Sequence, residues 1–530
     1  MTGFFEQAMA VQANNENVAI TENGAFGYRS TGKALLDLNF SIPQMRRMDA
    51  LEIQSKWEAA YKENPELAMR WLFFLRDVRG GMGERRTFRI ILKWMANVHP
   101  GEIRKLICTD NMFTQYVGEI IPFYGRWDDL MDLCSNECVS RKVYAAIKQQ
   151  LDKDVANMKT GNPVSLLAKW LPSLTTSKKT NKAARKLCKK IGMLETPYRQ
   201  TVSQLREYLK VTEVKMSHRQ WGEIDYSKVP SRAAMIYSKA FDKHDSERYQ
   251  RFINAVNKGE QKINANTLFP HEIVHRLKEA RYDSTDVATL EALWKNLPNT
   301  VEGGNTIVIR DGSGSMGVQV DRTSNVRAID IADALSIYFA ERLSGEFHNK
   351  LITFSERPQF VQFDERHTTL ASKLDHLRHY TEVANTNIEA VFRLILQTAV
   401  VNKLSQDELP ANLLIISDME FDGCATTDSG YVMTDGGSAR LFDAIAREYA
   451  KYGYRIPRVV FWNVNSRTGA IPMVENELGV ALVSGFSINL AKMVMSGKTD
   501  PYECMVDQLE NARYDPVSLA LGYTRPEDYI

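Results

Sequence analysis

The chain has 530 residues, of which 44% are hydrophobic and 25% are charged, and its formal net charge is +2. This composition is typical of folded soluble proteins, and the length exceeds what one hydrophobic core usually holds, so we expect two or three domains. No apolar run approaches the roughly 20 residues that span a bilayer, and the first residues lack the pattern of a signal peptide. These features argue against a membrane protein and predict a cytoplasmic one.

The first 300 residues alternate helical patterns with short breaks. Residues 1–25 are polar and rich in asparagine, which predicts a flexible N-terminal segment. Farther along, apolar residues recur at helical spacing, as in 68–75, 87–98 and 205–216, and Pro or Gly separates such stretches. Helices joined by short loops are typical of a bundle or a HEAT-like array, so we predict an all-α domain over residues 26–300.

Two basic clusters lie in this predicted helical domain. Residues 156–194 contain nine Lys or Arg and no Asp or Glu, and a second cluster surrounds the glycine-rich turn at Gly80 and Gly81. Concentrated positive charge neutralises phosphates, and the neighbouring Trp170 offers a surface for base stacking. A solvated helical face is the alternative. The candidate RNA contacts are Arg76, Arg79, Arg85, Arg86, Lys169, Lys178, Lys179, Lys182 and Arg185.

Residues 271–275 match the His-Glu-x-x-His signature of zinc peptidases, with His271 and His275 one helical turn apart. A zinc site needs a third ligand, and the downstream acids Glu279, Asp283 and Glu291 stand in no recognisable second motif. We therefore interpret the two histidines as structural and predict that the chain is not an enzyme. A zinc metallopeptidase remains an alternative. The six cysteines also lack zinc-module spacing, which predicts reduced, buried thiols.

The pattern changes at Asn305, where short apolar strands begin to alternate with amphipathic helices. We predict strands at 306–310, 351–354, 413–417, 459–464 and 480–483, an antiparallel edge strand at 360–363, and helices at 325–343, 387–403 and 439–452. This alternation is typical of a doubly wound, Rossmann-like α/β domain with a parallel sheet. We place this domain at residues 304–490, followed by a C-terminal extension, 491–530, that packs back on one of the two domains.

Side chains that carry oxygen follow the predicted strands where they end. Asp311, Ser313 and Ser315 come after the first strand, Thr386 precedes a helix, and Asp418 ends the strand at 413–417. Ligands of parallel α/β sheets bind at this edge, and carboxylate and hydroxyl oxygens suit Mg²⁺, with Ca²⁺ or Mn²⁺ as alternatives. The sequence therefore predicts a divalent-cation site. Two alternatives remain: the aspartates only cap helices, or the fold is intact but its cation site is empty and no longer used.

This order of residues resembles the metal-ion-dependent adhesion site of von Willebrand factor A domains. The resemblance implies that the three hydroxyls contact the metal, that the two aspartates act directly or through water, and that one position stays open for a partner's carboxylate. The chain departs from the family's pattern twice. Ala384-Asn385 stands where Gly-Gly is usual, and Met419 stands where a glycine often follows the last aspartate.

The helical half resembles the TROVE module of the Ro autoantigen and its bacterial relatives. Segments 72–81, 169–173 and 227–232 carry the resemblance, and a TROVE-related family of plants, bacteriophages and large viruses looks closer still. The resemblance implies a monomeric ring of HEAT-like helices that binds small non-coding or misfolded RNA. We therefore expect a non-catalytic RNA-binding protein whose second domain recruits a partner through its metal. A protein-interaction adaptor without RNA is the main alternative.

Overall fold

The computed structural model describes residues 16–107, 120–174, 177–280, 284–301, 305–322, 324–354, 357–380, 387–423 and 441–523. The chain forms two compact units, and each is assembled from two separated stretches. Unit 1 combines Met1–Pro65 with Ala265–Leu509, and unit 2 combines Glu66–Asn264 with Glu510–Ile530. The chain is therefore a mixed, multidomain protein with a helical part and an α/β part.

The helices and strands follow in chain order. The helices up to residue 257 are α1 (Ala34–Phe40), α2 (Ile42–Met45), α3 (Ala50–Glu63), α4 (Pro65–Arg76), α5 (Arg86–Val98), α6 (Pro100–Ile107), α7 (Ile120–Tyr124), α8 (Trp127–Met131), α9 (Ser140–Lys159), α10 (Leu167–Trp170), α11 (Lys178–Lys190), α12 (Glu195–Tyr208), α13 (Thr212–Ser217) and α14 (Ser231–Asn257). The later helices are α15 (Pro270–Glu279), α16 (Ser284–Lys295), α17 (Ala328–Arg342), α18 (Leu370–Arg378), α19 (Ile388–Asn402), α20 (Leu441–Lys451), α21 (Ala491–Met495), α22 (Pro501–Leu509) and α23 (Asp515–Leu521). The strands are β1 (Ala19–Ile20), β2 (Phe26–Gly27), β3 (Thr306–Asp311), β4 (Lys350–Phe354), β5 (Gln359–Gln362), β6 (Asn412–Ser417), β7 (Arg458–Asn463) and β8 (Val480–Ser484).

Unit 1 is built on a six-stranded sheet in the order β5-β4-β3-β6-β7-β8. Among the described strands of this sheet, β5 alone, at one edge, runs antiparallel to its neighbour, as the sequence predicted. Every residue of β3, β7 and β8 is buried, because these apolar strands are covered on both faces. After β3, the chain forms β4 on one side of β3, and β6 later pairs with β3 on its other side. The carboxyl ends of β3 and β6 are therefore the switch point at which such sheets bind ligands.

The N-terminal stretch belongs to the α/β unit and not to the helical one. Helix α1 packs against β8, and the side chain of Asn463 in β7 donates a hydrogen bond to the carbonyl of Phe40. The hairpin β1–β2 is followed by Tyr28, whose backbone exchanges two hydrogen bonds with Ile471. The sequence-based division placed residues 26–63 in the helical domain, because helical periodicity does not indicate which core a helix packs on.

Helices α15 and α16 also lie in unit 1, although the predicted helical domain extended to residue 300. Both were expected as helices, and α15 packs against α16 and along α17, the helix that covers β3 and β6. The C-terminal extension divides in the same way. Helices α21 and α22 pack against β8 in unit 1, whereas α23 packs against α6 in unit 2.

In the described residues of unit 2, the regular elements are all helices. The predicted helical stretches 68–75 and 87–98 fall within α4 and α5. The stretch 205–216 is not one helix: α12 ends at Tyr208, α13 begins at Thr212, and Lys210 between them has a φ of +49°. A lysine in the left-handed region interrupts the helical hydrogen bonds, and periodicity does not reveal it. In the described part of the chain, no helix is both long and apolar enough to cross a membrane.

Candidate metal centre

The first part of the candidate site is the turn that follows β3. Asp311 is the last residue of this strand, and its Oδ1 accepts a hydrogen bond of 2.9 Å from the backbone N–H of Ser313. The chain then makes a tight 3-10 turn, Gly314–Gly317, which brings the Ser313 and Ser315 hydroxyl oxygens within 3.0 Å of each other. Two hydroxyls and one carboxylate are thus held at the end of the central strand.

The second part of the site follows β6, the neighbouring strand. Ser417 ends β6 and donates a hydrogen bond of 2.6 Å from its hydroxyl to Asp311 Oδ2, which ties the two strand ends together. Asp418 comes next and is hydrogen-bonded by the Ser315 side chain and by the backbone N–H of Glu420. Met419 has a φ of +63°, which explains why a glycine would suit this position.

The two aspartates form a buried pair of like charges. Both side chains are 0% exposed. Burial, and then the charge of Asp418, raises the pKa of Asp311 to about 7, although hydrogen bonds from Ser417 and Ser313 oppose this rise. Burial also raises the pKa of Asp418, against the opposing effect of Arg467. Two carboxylates that water cannot reach are stabilised in their charged form by a cation.

Arg467 is a site residue that the sequence did not reveal. Its Nη1 lies 2.9 Å from Asp418 Oδ2, and its Nε lies 2.7 Å from a carboxylate oxygen of Glu22 in the N-terminal hairpin. Only local patterns can be found by reading along a sequence, and these two contacts span 49 and more than 400 residues. Arg467 offsets part of the negative charge of the pair, but it divides its own charge between Asp418 and Glu22.

Glu420 is a third buried carboxylate near the strand end, and it has a different role. Its Oε1 accepts hydrogen bonds from the backbone N–H groups of Arg467 and Thr468, and its Oε2 accepts one from the backbone N–H of Glu22. The Thr468 hydroxyl adds a further contact. This carboxylate is therefore satisfied by the protein itself and anchors the N-terminal hairpin against the loop after β7.

The donors fit a hard divalent cation. Asp311, Ser313, Ser315 and Asp418 offer carboxylate and hydroxyl oxygens, the ligands that Mg²⁺ and Ca²⁺ prefer. Within the described ranges, no group of three or more His, Cys, Asp or Glu could hold a metal, so a site here depends on the serine hydroxyls. Thr386, with Ala384 and Asn385, lies outside the described residues.

The basic cluster around Gly80 and Gly81 is partly engaged in ion pairs. Arg76 is only 3% exposed, and its Nη2 lies 2.7 Å from Asp129 Oδ2. Its guanidinium therefore cannot reach a nucleic acid, which corrects its prediction as an RNA contact. Arg85 pairs with Asp128 at 2.5 Å, whereas Arg79 and Arg86 have exposed side chains. Lys169, which belongs to the basic cluster at residues 156–194, lies 3.7 Å from Glu213.

Most of the basic cluster at residues 156–194 lies on one exposed helix. Helix α11 buries Ala184, Leu187 and Cys188 and turns its basic residues to solvent. Arg185 lies 3.4 Å from Glu195, and no other ion pair to this helix is found among the described residues. Ser177 caps the helix through a hydrogen bond from the backbone N–H of Thr180. The exposed residues are Lys178, Lys179, Lys182, Arg185, Lys186, Lys189 and Lys190.

The two histidines of α15 have partners other than a metal. His271 is 7% exposed, and its ring packs edge-on against Phe486, with the ring centres 4.9 Å apart. His275 Nδ1 lies 3.1 Å from Asp330 Oδ2 on α17, and its Nε2 lies 3.4 Å from Glu279. These contacts agree with the interpretation of the histidines as structural residues.

Comparisons with known proteins correct the identification of the two halves. Residues 305–518 match a family described as Domain of unknown function (DUF7788), and residues 21–135 and 124–304 match one described as Domain of unknown function (DUF2828). The identification with the TROVE and von Willebrand A families is therefore wrong: a few short segments and one ligand pattern were too little sequence to carry it.

A full-length relative is found in Acanthamoeba polyphaga mimivirus. This uncharacterized viral protein is 29% identical over 539 residues, which cover 94% of this chain and 89% of the viral one. The two family matches meet at residues 304 and 305, where the sequence pattern changes from helical to α/β. The DUF2828 matches together span more than half of the chain, and the protein therefore belongs to the DUF2828 family.

Proposed function

We propose that the protein is a non-catalytic binding protein whose α/β unit holds a divalent cation, Mg²⁺ above all, between the ends of β3 and β6. The observation that carries the proposal is the fully buried pair Asp311 and Asp418, joined through the Ser313 and Ser315 hydroxyls. Without a cation, Arg467 is the single positive group that pairs with these two carboxylates among the described residues. A bound Mg²⁺ would supply the charge that the pair lacks.

The cation would serve to bind an anionic group of a partner. Two serines and two aspartates offer four ligands, fewer than the six that Mg²⁺ takes, so positions remain for water or for an oxygen of the partner. A carboxylate of a protein partner is the simplest such group. Binding would then require cation and partner together, which is the behaviour expected of an adaptor.

Mn²⁺ titration followed by electron paramagnetic resonance tests the cation site, since free and bound Mn²⁺ give different signals. We expect one Mn²⁺ per full-length chain, displaced by excess Mg²⁺. The double variant Ser313→Ala/Ser315→Ala should weaken binding at least tenfold, because it removes two ligands without leaving a charge. Ser344→Ala, an exposed serine whose side chain makes no capping bond, is the matched control. Equal Mn²⁺ binding by both variants would falsify the proposal.

A second function, RNA binding by unit 2, is favoured by helix α11. Seven Lys or Arg side chains of one helix face solvent, and the helix itself contains no acid. This arrangement places a line of positive charge where a phosphate backbone can follow it. Salt-dependent RNA binding would make the protein an RNA holder as well as an adaptor.

Charge reversal on α11 tests this function in a binding assay with a labelled structured RNA. Lys178→Glu/Lys182→Glu should weaken binding at least tenfold and flatten its salt dependence, because fewer counterions are released. Lys153→Glu/Lys243→Glu changes the net charge equally at exposed positions of α9 and α14. If both double variants bind RNA equally, or the unaltered protein binds none at low salt, the adaptor without RNA is the better description.

A further inference from the structure

Arg467 contacts the candidate metal centre, and the charges of Arg467, Arg46 and Arg322 all act on Arg47; we call these four residues the arginine rim. Arg47 Nη2 donates hydrogen bonds to the carbonyl of Gln319, 2.6 Å away, and to Asn465 Oδ1, 3.2 Å away. These contacts bring α2 and its flanking residues next to the loop that carries Arg322 and to the loop that carries Arg467. Since Arg467 also contacts Asp418, the rim is continuous with the metal centre.

The rim has an excess of positive charge around Arg47. Burial and the charges of Arg467, Arg46 and Arg322 lower the pKa of Arg47, and Glu22 is the acid that opposes them most. Arg322 is exposed, whereas the other three side chains are half-buried. Half-buried guanidinium groups that repel one another favour a bound anion, because the anion relieves the repulsion without being fully screened by water.

Asn465 adds an unused hydrogen-bond donor to the rim. Its side chain is 1% exposed, and its Oδ1 accepts from Arg47, which fixes the orientation of the amide. Its Nδ2 has no hydrogen-bond acceptor among the described residues. A buried donor without an acceptor destabilises the folded chain. A ligand oxygen beside Arg47 would remove this cost.

We propose that the arginine rim and Asn465 bind a phosphate group, and that one phosphate oxygen completes the shell of the cation held by Asp311 and Asp418. This inference rests on the cation site of the proposed function and names the ligand of that site. A phosphate carries up to two negative charges and three or more acceptor oxygens, so it can contact the cation, Arg467 and Arg47 at once. A carboxylate has only two oxygens and one charge, and it would leave part of the rim without a partner.

The orientation of Arg46 fits this role. Its guanidinium carbon lies over the Phe486 ring, 3.4 Å from the ring centre. A cation–π contact of this kind holds an arginine side chain in a defined position.

Calorimetric titration of the full-length protein with inorganic phosphate tests the inference, in Mg²⁺ and again in EDTA. We expect phosphate to bind at least tenfold more tightly with Mg²⁺ than without it, and at least tenfold more tightly than acetate. Arg322→Gln and Arg47→Gln should each weaken phosphate binding about tenfold. The exposed Arg322 makes the first variant the safer one for folding, and thermal unfolding checks both.

Arg455→Gln is the matched control, because Arg455 precedes β7 and therefore lies at the opposite edge of the sheet, where it pairs with Glu477. Phosphate binding that Arg322→Gln leaves unchanged, or acetate that binds as tightly as phosphate, overturns the inference. If Mn²⁺ binds but phosphate does not, the inference fails and the cation site stands. If phosphate binds as tightly in EDTA as in Mg²⁺ and depends on Arg322, the rim binds phosphate but no phosphate oxygen completes the shell of the cation, and that part of the inference fails.

Two further titrations identify the source of the phosphate. A phosphoserine peptide and a nucleoside 5′-monophosphate each carry the same group on a different molecule. Tighter binding of either one than of inorganic phosphate assigns the source, and weaker binding of both assigns free phosphate. Each of these three results supports phosphate binding by the arginine rim, provided that Arg322→Gln weakens the binding of the compound concerned.

Discussion

Burial in the folded chain disfavours the charged form of the Asp311 carboxyl group. Its ordinary pKa of 3.8 rises to about 7 through burial and the nearby Asp418. The folded chain therefore retains a proton that the unfolded chain releases between these two pH values. Without a cation, the free energy of unfolding should fall as the pH rises from about 4 to about 7. A bound cation reverses this effect, because it stabilises the charged carboxylate.

The variant Asp311→Asn tests whether the two buried carboxylates destabilise the fold without a cation and stabilise it with one. In EDTA at pH 8 it should raise the free energy of unfolding by at least about 1 kcal/mol, since it removes one of two buried like charges. In saturating Mg²⁺ it should gain no further stability, whereas the unaltered protein should unfold several degrees higher. Thermal unfolding in both buffers measures these shifts. A variant that is less stable than the unaltered protein in EDTA contradicts the proposed repulsion.

The residues of the candidate site divide into those that sequence reading could find and those that it could not. Asp311, Ser313, Ser315 and Asp418 were named because each follows an apolar strand directly, and the strand direction places them at one edge. Arg467 was missed because its partners are defined by tertiary packing. The prediction of Arg76 as an RNA contact fails for the same reason, since its pairing with Asp129 depends on how α4 meets α8.

At the scale of elements, the sheet was more predictable than the helical unit. The predicted strand at 306–310 is observed as Thr306–Asp311, and the one at 413–417 as Asn412–Ser417. Runs of buried β-branched residues give a strong local signal. The helix broken at Lys210 and the assignment of α15 to unit 1 were not predictable, because they depend on a backbone angle and on a packing partner.

Helix α15 is joined to the sheet by a chain of ion pairs. Lys278 lies 2.7 Å from Asp330 and 2.9 Å from Asp333 on α17, and Asp333 also pairs with Arg310 of β3 at 2.6 Å. Burial alone would raise the pKa of Asp333, but Arg310 and Lys278 outweigh burial and hold it below its ordinary value. The polar face of α15 is therefore used to position α17 against the strand that ends in Asp311.

This packing predicts the outcome of a zinc measurement on α15. The purified protein should contain far less than one zinc per chain, and His271→Ala/His275→Ala should not change that content. The double variant should instead lower the free energy of unfolding by about 2 kcal/mol or more, because a buried ring and the contact of His275 with Asp330 are lost. His218→Ala, at an exposed position, is the control. Stoichiometric zinc that disappears in the double variant would favour the peptidase alternative.

At the scale of the whole molecule, the core of each unit is completed by a short segment that is distant in sequence from the rest of that unit. Unit 1 needs residues 16–63, whose buried Leu35, Leu36, Leu38 and Phe40 complete its core. Unit 2 needs residues 510–523, where Arg513 contacts the buried Asp77 and Ser518 contacts the buried Arg70. The boundary at residues 304 and 305 is therefore a boundary of sequence families but not of folded units.

This organisation predicts how fragments behave. A fragment of residues 305–518 lacks α1, α15 and the N-terminal hairpin, so it should expose apolar surface and bind a hydrophobic dye. Residues 265–509 produced together with residues 1–65 should form a complex that copurifies and unfolds cooperatively. Dye fluorescence and calorimetry distinguish the two samples. A cooperative, dye-free fragment of residues 305–518 would contradict the assignment of residues 16–63 to the core of unit 1.

The same interleaving sets the order of events during synthesis on the ribosome. Helix α1 emerges about 270 residues before β3, a delay on the order of tens of seconds at about 5–20 residues per second. During that time its apolar face has no core to pack against. Unit 2, in turn, is completed only after residues 510–523 have been synthesised. A premature stop between residues 66 and 509 therefore leaves both units incomplete, so such a truncation acts as a complete loss of the protein.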